Sequence, residues 1–228
     1  LQYVHAQEVV HCDLKPANVL LDHNDHAKVA DFGHSIVLTD SGGALGSLFY
    51  MAPEQAMTSE QGHVVQPDVR WDIYALGCTL YHRRSGHPPH ENIALELEMT
   101  PVLATRLKIY RKAIETQEVP DLYSITHGRV DKDLSAIVAK CMKVNHDERY
   151  NDVDEVLKDI KRRWQGKPVS PLAGDRVYWL RKYVARYKPV IIAAGIALVI
   201  ALLAALMMAQ HEKAHAQDTA LSDILRGK

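Results

Sequence analysis

From His11 the chain reads His-Cys-Asp-Leu-Lys-Pro-Ala-Asn, which sets a carboxylate, an ammonium and an amide at Asp13, Lys15 and Asn18. Thirteen residues after Asn18 a second carboxylate opens Asp31-Phe32-Gly33, and Ala52-Pro53-Glu54 follows later. Asp13 is suited to orient a hydroxyl or accept its proton, and Lys15 to place a cation beside a phosphoryl group. Asn18 and Asp31 offer oxygens to Mg²⁺, a hard cation that prefers them. Phosphoryl transfer demands little more of a protein than a placed nucleophile and neutralised charge. Singly each motif is weak, since an Asp before an apolar run is usually a turn or cap residue. Their order is the signal.

The elements that must position these residues are short. Val9-Val10, Val19–Leu21 and Ala27–Ala30 read as β pieces, with Asp22-His23-Asn24-Asp25 as the turn between the last two. Those two strands would fix the separation of Asn18 from Asp31. Downstream, Asp72 to Tyr81 is a mostly apolar stretch that predicts a helix buried nearly all round. Residues 91–116 predict one or two further helices, broken at Pro101. Leu134, Ile137, Val138 and Cys141 share one helical face, as do Val153, Val156, Leu157, Ile160 and Trp164.

The ordered set resembles the protein-kinase signature. Residues 1–164 look like a kinase C-terminal lobe, mainly α with a small β-hairpin region. The Asp-Leu-Lys-Pro-Ala-Asn wording is similar to the serine/threonine branch. Gly46-Ser47-Leu48-Phe49-Tyr50-Met51-Ala52-Pro53-Glu54-Gln55 resembles the bacterial, eukaryotic-like subgroup, in which a kinase domain, a basic linker and one transmembrane helix commonly follow each other. The resemblance implies ATP and Mg²⁺ as cofactors and protein Ser/Thr hydroxyls as substrates. It implies catalytic roles for Asp13 and Lys15, nucleotide contact for Lys15, Asn18 and Asp31, and metal ligation by Asn18 and Asp31. Ser47 would hydrogen-bond Asp13 and Lys15, and Thr39 and Ser41 would lie on the activation segment. Glu54 would pair with Arg149 of His146-Asp147-Glu148-Arg149-Tyr150, and Asp72 would brace the backbone of the 11–13 loop.

Composition narrows the class further. With 47% apolar residues the 228-residue chain can bury a core, and whole-chain disorder is excluded. Cys12, Cys78 and Cys141 lie far apart, which disfavours a disulfide scaffold and fits a reducing compartment. The formal net charge of −1 hides an asymmetry: residues 1–160 carry −9, residues 161–188 carry +8 and residues 189–228 carry none. A basic block beside an apolar run points to anionic lipid and not to nucleic acid. That run, Val190 to Ala209, holds no charge, and at ~1.5 Å per residue it spans roughly the 30 Å of a bilayer core. The expected division is therefore a kinase lobe over 1–164, a basic juxtamembrane linker over 165–188, a transmembrane helix over 189–209 and a short extracytoplasmic tail over 210–228. The basic side of the run places the kinase portion in the cytoplasm, anchored single-pass in the inner or plasma membrane. A dimer is compatible with this layout. His82, His87 and His90 beside Cys78, and His211 with His215, lack zinc-like spacing and read as ordinary surface histidines.

Two departures from the kinase pattern bear on activity. The 228 residues, which begin at Leu1, hold no Gly-rich loop, no strand lysine for the α/β-phosphates and no partner glutamate. They read as a fragment lacking the N-terminal lobe, inactive alone and a weak binder of ATP. Cys12 stands where kinases most often carry the Arg that meets an activation-loop phosphate, so a phosphate at Thr39 or Ser41 would lose that charge partner. Two functions compete: a membrane-anchored Ser/Thr kinase, and a non-catalytic, membrane-tethered, pseudokinase-like interaction module. Retention of Asp13, Lys15, Asn18 and Asp31 together favours the first.

Overall fold

The computed structural model describes residues 1–32, 45–56 and 66–227, in two compact units, Leu1–Arg176 and Val177–Lys228. The first unit begins with α1 (Gln2–His5), followed by β1 (Val19–Leu21) and β2 (Ala27–Val29). Then come α2 (Leu45–Leu48), α3 (Val69–Ser85), α4 (Ala94–Met99), α5 (Leu103–Thr116), α6 (Leu122–Ile125), α7 (Lys132–Cys141) and α8 (Val153–Trp164). The second unit is essentially one helix, α9 (Arg176–Gly227).

β1 and β2 pair antiparallel with Val19 opposite Val29 and Leu21 opposite Ala27. The turn between them closes on Asp22, whose carboxylate accepts from the N–H groups of Asn24 and His26 at 2.9 and 3.0 Å. Those bonds hold its pKa below the usual carboxylate range, the one from His26 contributing most. Val9-Val10, expected as a third β piece, pairs with no strand among the described residues. Its surroundings explain why: the Val9 N–H donates back to Val4 O at 3.0 Å, and the two amides after Val10, those of His11 and Cys12, go to a side chain, Asp72.

The core is organised around α3. Asp68 caps it by accepting the Arg70 N–H, and Gly86, at φ +93°, ends it by donating to His82 O. Trp71, Asp72, Ile73, Tyr74, Ala75, Gly77, Cys78 and Tyr81 are all buried, so the helix is enclosed nearly all round as its composition predicts. At Gly77 α7 packs against the bare backbone: a Cβ there would lie 2.7 Å from the Cys141 Cβ. Leu134, Ile137, Val138 and Cys141 of α7 are buried as their spacing predicts.

On α8 the predicted face is only partly right. Val153 and Val156 are buried, but Leu157 is 36% exposed and Trp164 75% exposed. The buried line runs in steps of three, Val153, Val156 and Asp159, the last at 1% exposure, and one turn on the partly exposed Arg163 binds the α7 cap Asp131 at 2.8 Å. Past α8, the Pro/Gly segment read as linker folds back. Val169 is fully buried, and Ser170 donates its N–H (3.0 Å) and its hydroxyl to Asp159, which also accepts from the Tyr150 hydroxyl at 2.9 Å.

α9 contains the apolar run Val190–Ala209 but starts well before it and carries Pro189 inside. Its Arg176–His211 stretch is long and apolar enough to cross a bilayer, by length and composition, and none of it is buried against protein. Residues 176–188 and 210–227, sketched from sequence as linker and tail, share this one helical backbone.

Candidate active site

Lys15 Nζ donates to Asp13 Oδ2 at 2.6 Å and to Ser47 Oγ at 2.7 Å. Asn18 Nδ2 donates to the Asp13 main-chain oxygen at 2.8 Å and to Asp13 Oδ2 at 3.3 Å. Lys15 and Asn18 thus meet at the Asp13 carboxylate, and Ser47 joins through Lys15 alone, without the bond to Asp13 that was expected of it. Pro16 starts the 3₁₀ turn Pro16–Asn18, and this turn swings the Asn18 amide back over the loop it follows. Ser47 comes from α2, on a separate stretch of chain, so the cluster closes only when the segment before Ala52-Pro53-Glu54 docks.

The hairpin brings up the second carboxylate. The Ala30 N–H donates to Asn18 O at 2.9 Å, which extends the β1–β2 ladder by one step and sets Asp31 one residue from Asn18 across it. Asp31 adopts φ +66°, and Cys12, just before Asp13, adopts φ +67°. Non-glycine residues in this region are costly and gather at functional sites. The cost at Cys12 is met by bracing. Asp72, fully buried, accepts from the N–H groups of His11 and Cys12 at 2.8 and 2.9 Å, while Gln55 donates to Cys12 O at 2.9 Å.

Sequence reasoning quoted His11 but gave it no task. It is 1% exposed, receives the Asp13 N–H on Nδ1 at 3.3 Å and so donates from Nε2 to Ala30 O at 2.9 Å. Its ring also meets Phe32 edge-on, centroids 4.6 Å apart. One imidazole therefore joins the Asp13 loop to the strand carrying Asp31. His5 is a second such residue, its Nε2 lying 2.8 Å from Asp72 Oδ2. The visible signal for both was polarity inside otherwise apolar stretches.

The donor set fits a Mg²⁺ ion. Asn18 spends Nδ2 on Asp13, so that Oδ1 is the atom it could offer a cation, and the Asp31 carboxylate stands at the neighbouring ladder position; both are hard oxygens of the kind this cation selects. A lysine and a carboxylate beside them match what phosphoryl transfer needs.

The protein kinase domain family matches residues 1–160 of the chain. The chain belongs to the protein kinase family. Among its curated relatives, the chain is 32% identical over 180 residues to a probable serine/threonine-protein kinase of Streptomyces coelicolor, covering 76% of this chain and 24% of that protein. It is 33% identical over 179 residues to serine/threonine-protein kinase PknB of Mycolicibacterium smegmatis, covering 75% and 26%. PknB of Mycobacterium tuberculosis is 31% identical over 175 residues. The kinase chain thus spans about a quarter of the length of these relatives.

The kinase lobe carries a second ion pair, buried at its arginine. Arg149 grips Glu54 with both terminal nitrogens at 2.7 and 2.8 Å and spends its remaining N–H groups on the main-chain oxygens of Lys143, Arg70 and Val144. Its guanidinium lies 4.9 Å from the Tyr74 ring centroid. Cys12 is half-buried, and burial, aided by the charges of Asp72 and Asp13, pushes its thiol up to about 11. The reading of His82, His87 and His90 as surface residues needs correction. His90 is 8% exposed, burial lowers its pKa, and His82 bonds the Tyr50 hydroxyl. The turn after Gly86 folds this loop inward over the end of α3. Thr39 and Ser41 lie outside the described residues.

Proposed function

We propose that this lobe is the catalytic floor of a membrane-anchored serine/threonine protein kinase that moves the γ-phosphoryl group of ATP to protein hydroxyls. The observation that carries the proposal is the convergence of Lys15 and Asn18 on Asp13, with Ser47 holding Lys15 from the far side and Asp31 delivered beside Asn18 by the hairpin. Asp13 orients the acceptor hydroxyl and takes its proton. Lys15, held between Asp13 and Ser47, offers its charge to the phosphoryl oxygens. Asn18 and Asp31 hold Mg²⁺, which neutralises phosphate charge when bound. Arg149–Glu54 and Asp72 keep the loops in register and touch no reactant.

The apolar run of α9 anchors the kinase in a membrane, and the basic residues ahead of it hold the lobe on the cytoplasmic side, against anionic lipid. One observation favours a second reading, a non-catalytic interaction module: Cys12 brings no cation to an activation-loop phosphate. The complete Asp13 cluster weighs against it, because Cys12 supplies its backbone, not its side chain, to the site.

The test supplies the chain with an upstream kinase lobe and follows label from γ-labelled ATP into a protein substrate. Incorporation is expected to require Mg²⁺ and to vanish in Asn18→Ala and Asp31→Ala. Equal incorporation by the variants would refute the assignment. A reporter placed near residue 213 is expected on the far side of the membrane from the lobe.

A further inference from the structure

The opening turns of α9, residues 176–188, sort their side chains by face. Trp179, Tyr183 and Tyr187 recur every four residues and stack as a ladder, with successive ring centroids 5.3 and 4.5 Å apart. Val177, Leu180 and Val184 fill the same side at helical spacing, and these six side chains are 38 to 77% exposed. Arg181, Lys182 and Lys188 take the other side together with Tyr178, Arg186 borders the ladder with its guanidinium 5.9 Å from the Tyr187 ring centroid, and Arg176, at the first residue, falls in line with the aromatic face. The run then meets Pro189, immediately before the uncharged stretch. Proline gives no N–H to the carbonyl of Ala185, four residues back, and its ring crowds that turn, so the helix bends most easily there.

Length rules on how this segment meets a bilayer. If α9 stood upright with its apolar run in the hydrocarbon, Trp179 would lie ~15 Å beyond Pro189. The headgroup layer on one side is only about 5–8 Å deep. An upright helix would leave much of the aromatic ladder in water. Laid flat, the whole apolar face reaches the boundary between headgroups and acyl chains. The basic face then lies among lipid phosphates, and the +8 charge of residues 161–188 suits an anionic surface.

We propose that residues 176–188 form an interfacial amphipathic helix, bent from the membrane-crossing segment at Pro189 and seated on anionic phospholipid. This rests on the membrane anchoring proposed above and deepens it, since the juxtamembrane segment becomes a lipid-binding element and not a spacer.

The test uses the full 228-residue chain in vesicles of phosphatidylcholine with phosphatidylglycerol. Quenching by lipids brominated at known depths is read for Trp179, as the difference between the chain and Trp179→Phe. It is read again for a tryptophan moved to the end of the ladder, Tyr187→Trp in the Trp179→Phe chain. Equal depths are expected, whereas an upright helix separates the two by ~12 Å and would overturn the proposal. Arg181→Glu with Lys182→Glu is expected to bring Trp179 closer to water on the anionic vesicles and to leave it unmoved on phosphatidylcholine alone. No change on either surface would overturn the anionic lipid as partner. Release of the whole chain by alkaline carbonate would remove the membrane anchor itself, whereas an integrated chain with unequal depths removes only the interfacial helix.

Discussion

Asp13–Lys15 and Glu54–Arg149 are both acid–base pairs joined by bonds under 3 Å, yet they are built in opposite ways. The first is open, its side chains 20% and 19% exposed, and Lys15 divides its charge between Asp13 and Ser47. The second is closed at its cation: the Arg149 side chain is fully buried and every one of its N–H groups has an acceptor, while the Glu54 side chain keeps 23% exposure. An open pair can exchange partners when a substrate arrives. A closed pair can only hold. On the proposed function the lobe separates chemistry from framework, and Asp72 falls with the framework even though its bonds reach the loop that carries Asp13.

The strongest way to break this comparison is to cut both pairs and weigh the results. Arg149→Ala is expected to cost about 3 kcal/mol, the lower end for a broken buried pair, because it leaves three main-chain oxygens without their donor while water reaches the 23% exposed Glu54. Lys15→Ala is expected to cost less than ~1 kcal/mol, as for other partly exposed pairs. Denaturant midpoints measure both, and equal losses would erase the distinction. Next in size, Asp72→Asn keeps the shape but turns an –NH₂ toward donors that need an acceptor. A loss of about 1–3 kcal/mol is expected, with activity falling further than stability accounts for as the Cys12 backbone relaxes.

A pH experiment sharpens the same contrast at the junction between the two regions. With its pKa raised to about 11, the Cys12 thiol stays protonated through neutral pH. Its thiolate fraction at pH 8 is then about a hundredfold below that of an unperturbed thiol. Alkylation by iodoacetamide should be correspondingly slow and should rise toward pH 11; fast labelling at pH 7 would show that the loop is neither buried nor flanked by carboxylates as described. The smallest effect lies far from the site. Asp152, whose carboxylate accepts the Glu155 N–H at 2.7 Å, caps α8, and Asp152→Ala should cost about 1 kcal/mol with no change in activity.

Much of the site was legible because its residues sit close together in sequence. Asp13, Lys15 and Asn18 share one loop, and a hairpin of ordinary turn chemistry at Asp22 carries the chain round to Asp31. Motif order conveyed the remote partners Ser47, Glu54, Arg149 and Asp72 through family resemblance. What stayed hidden depends on tertiary acceptors that no local pattern announces. His11 looked like a motif letter, yet its two ring nitrogens join loop to strand. The Pro/Gly stretch after Trp164 looked like a linker, yet buried Asp159 captures Ser170 and Val169 fills the core. On α8 the apolar period promised Trp164 to the interior, but an ion pair between Arg163 and Asp131 takes that place.

The central claim is that Asp13 serves chemistry and not structure. Its most direct test is steady-state phosphorylation by the kinase supplied with an upstream lobe, comparing wild type with Asp13→Asn. General-base loss predicts a fall in kcat of about 10²–10⁴-fold, with KM for ATP and the unfolding midpoint nearly unchanged. Retention of kcat, or a loss of activity that merely follows a loss of stability, would contradict it.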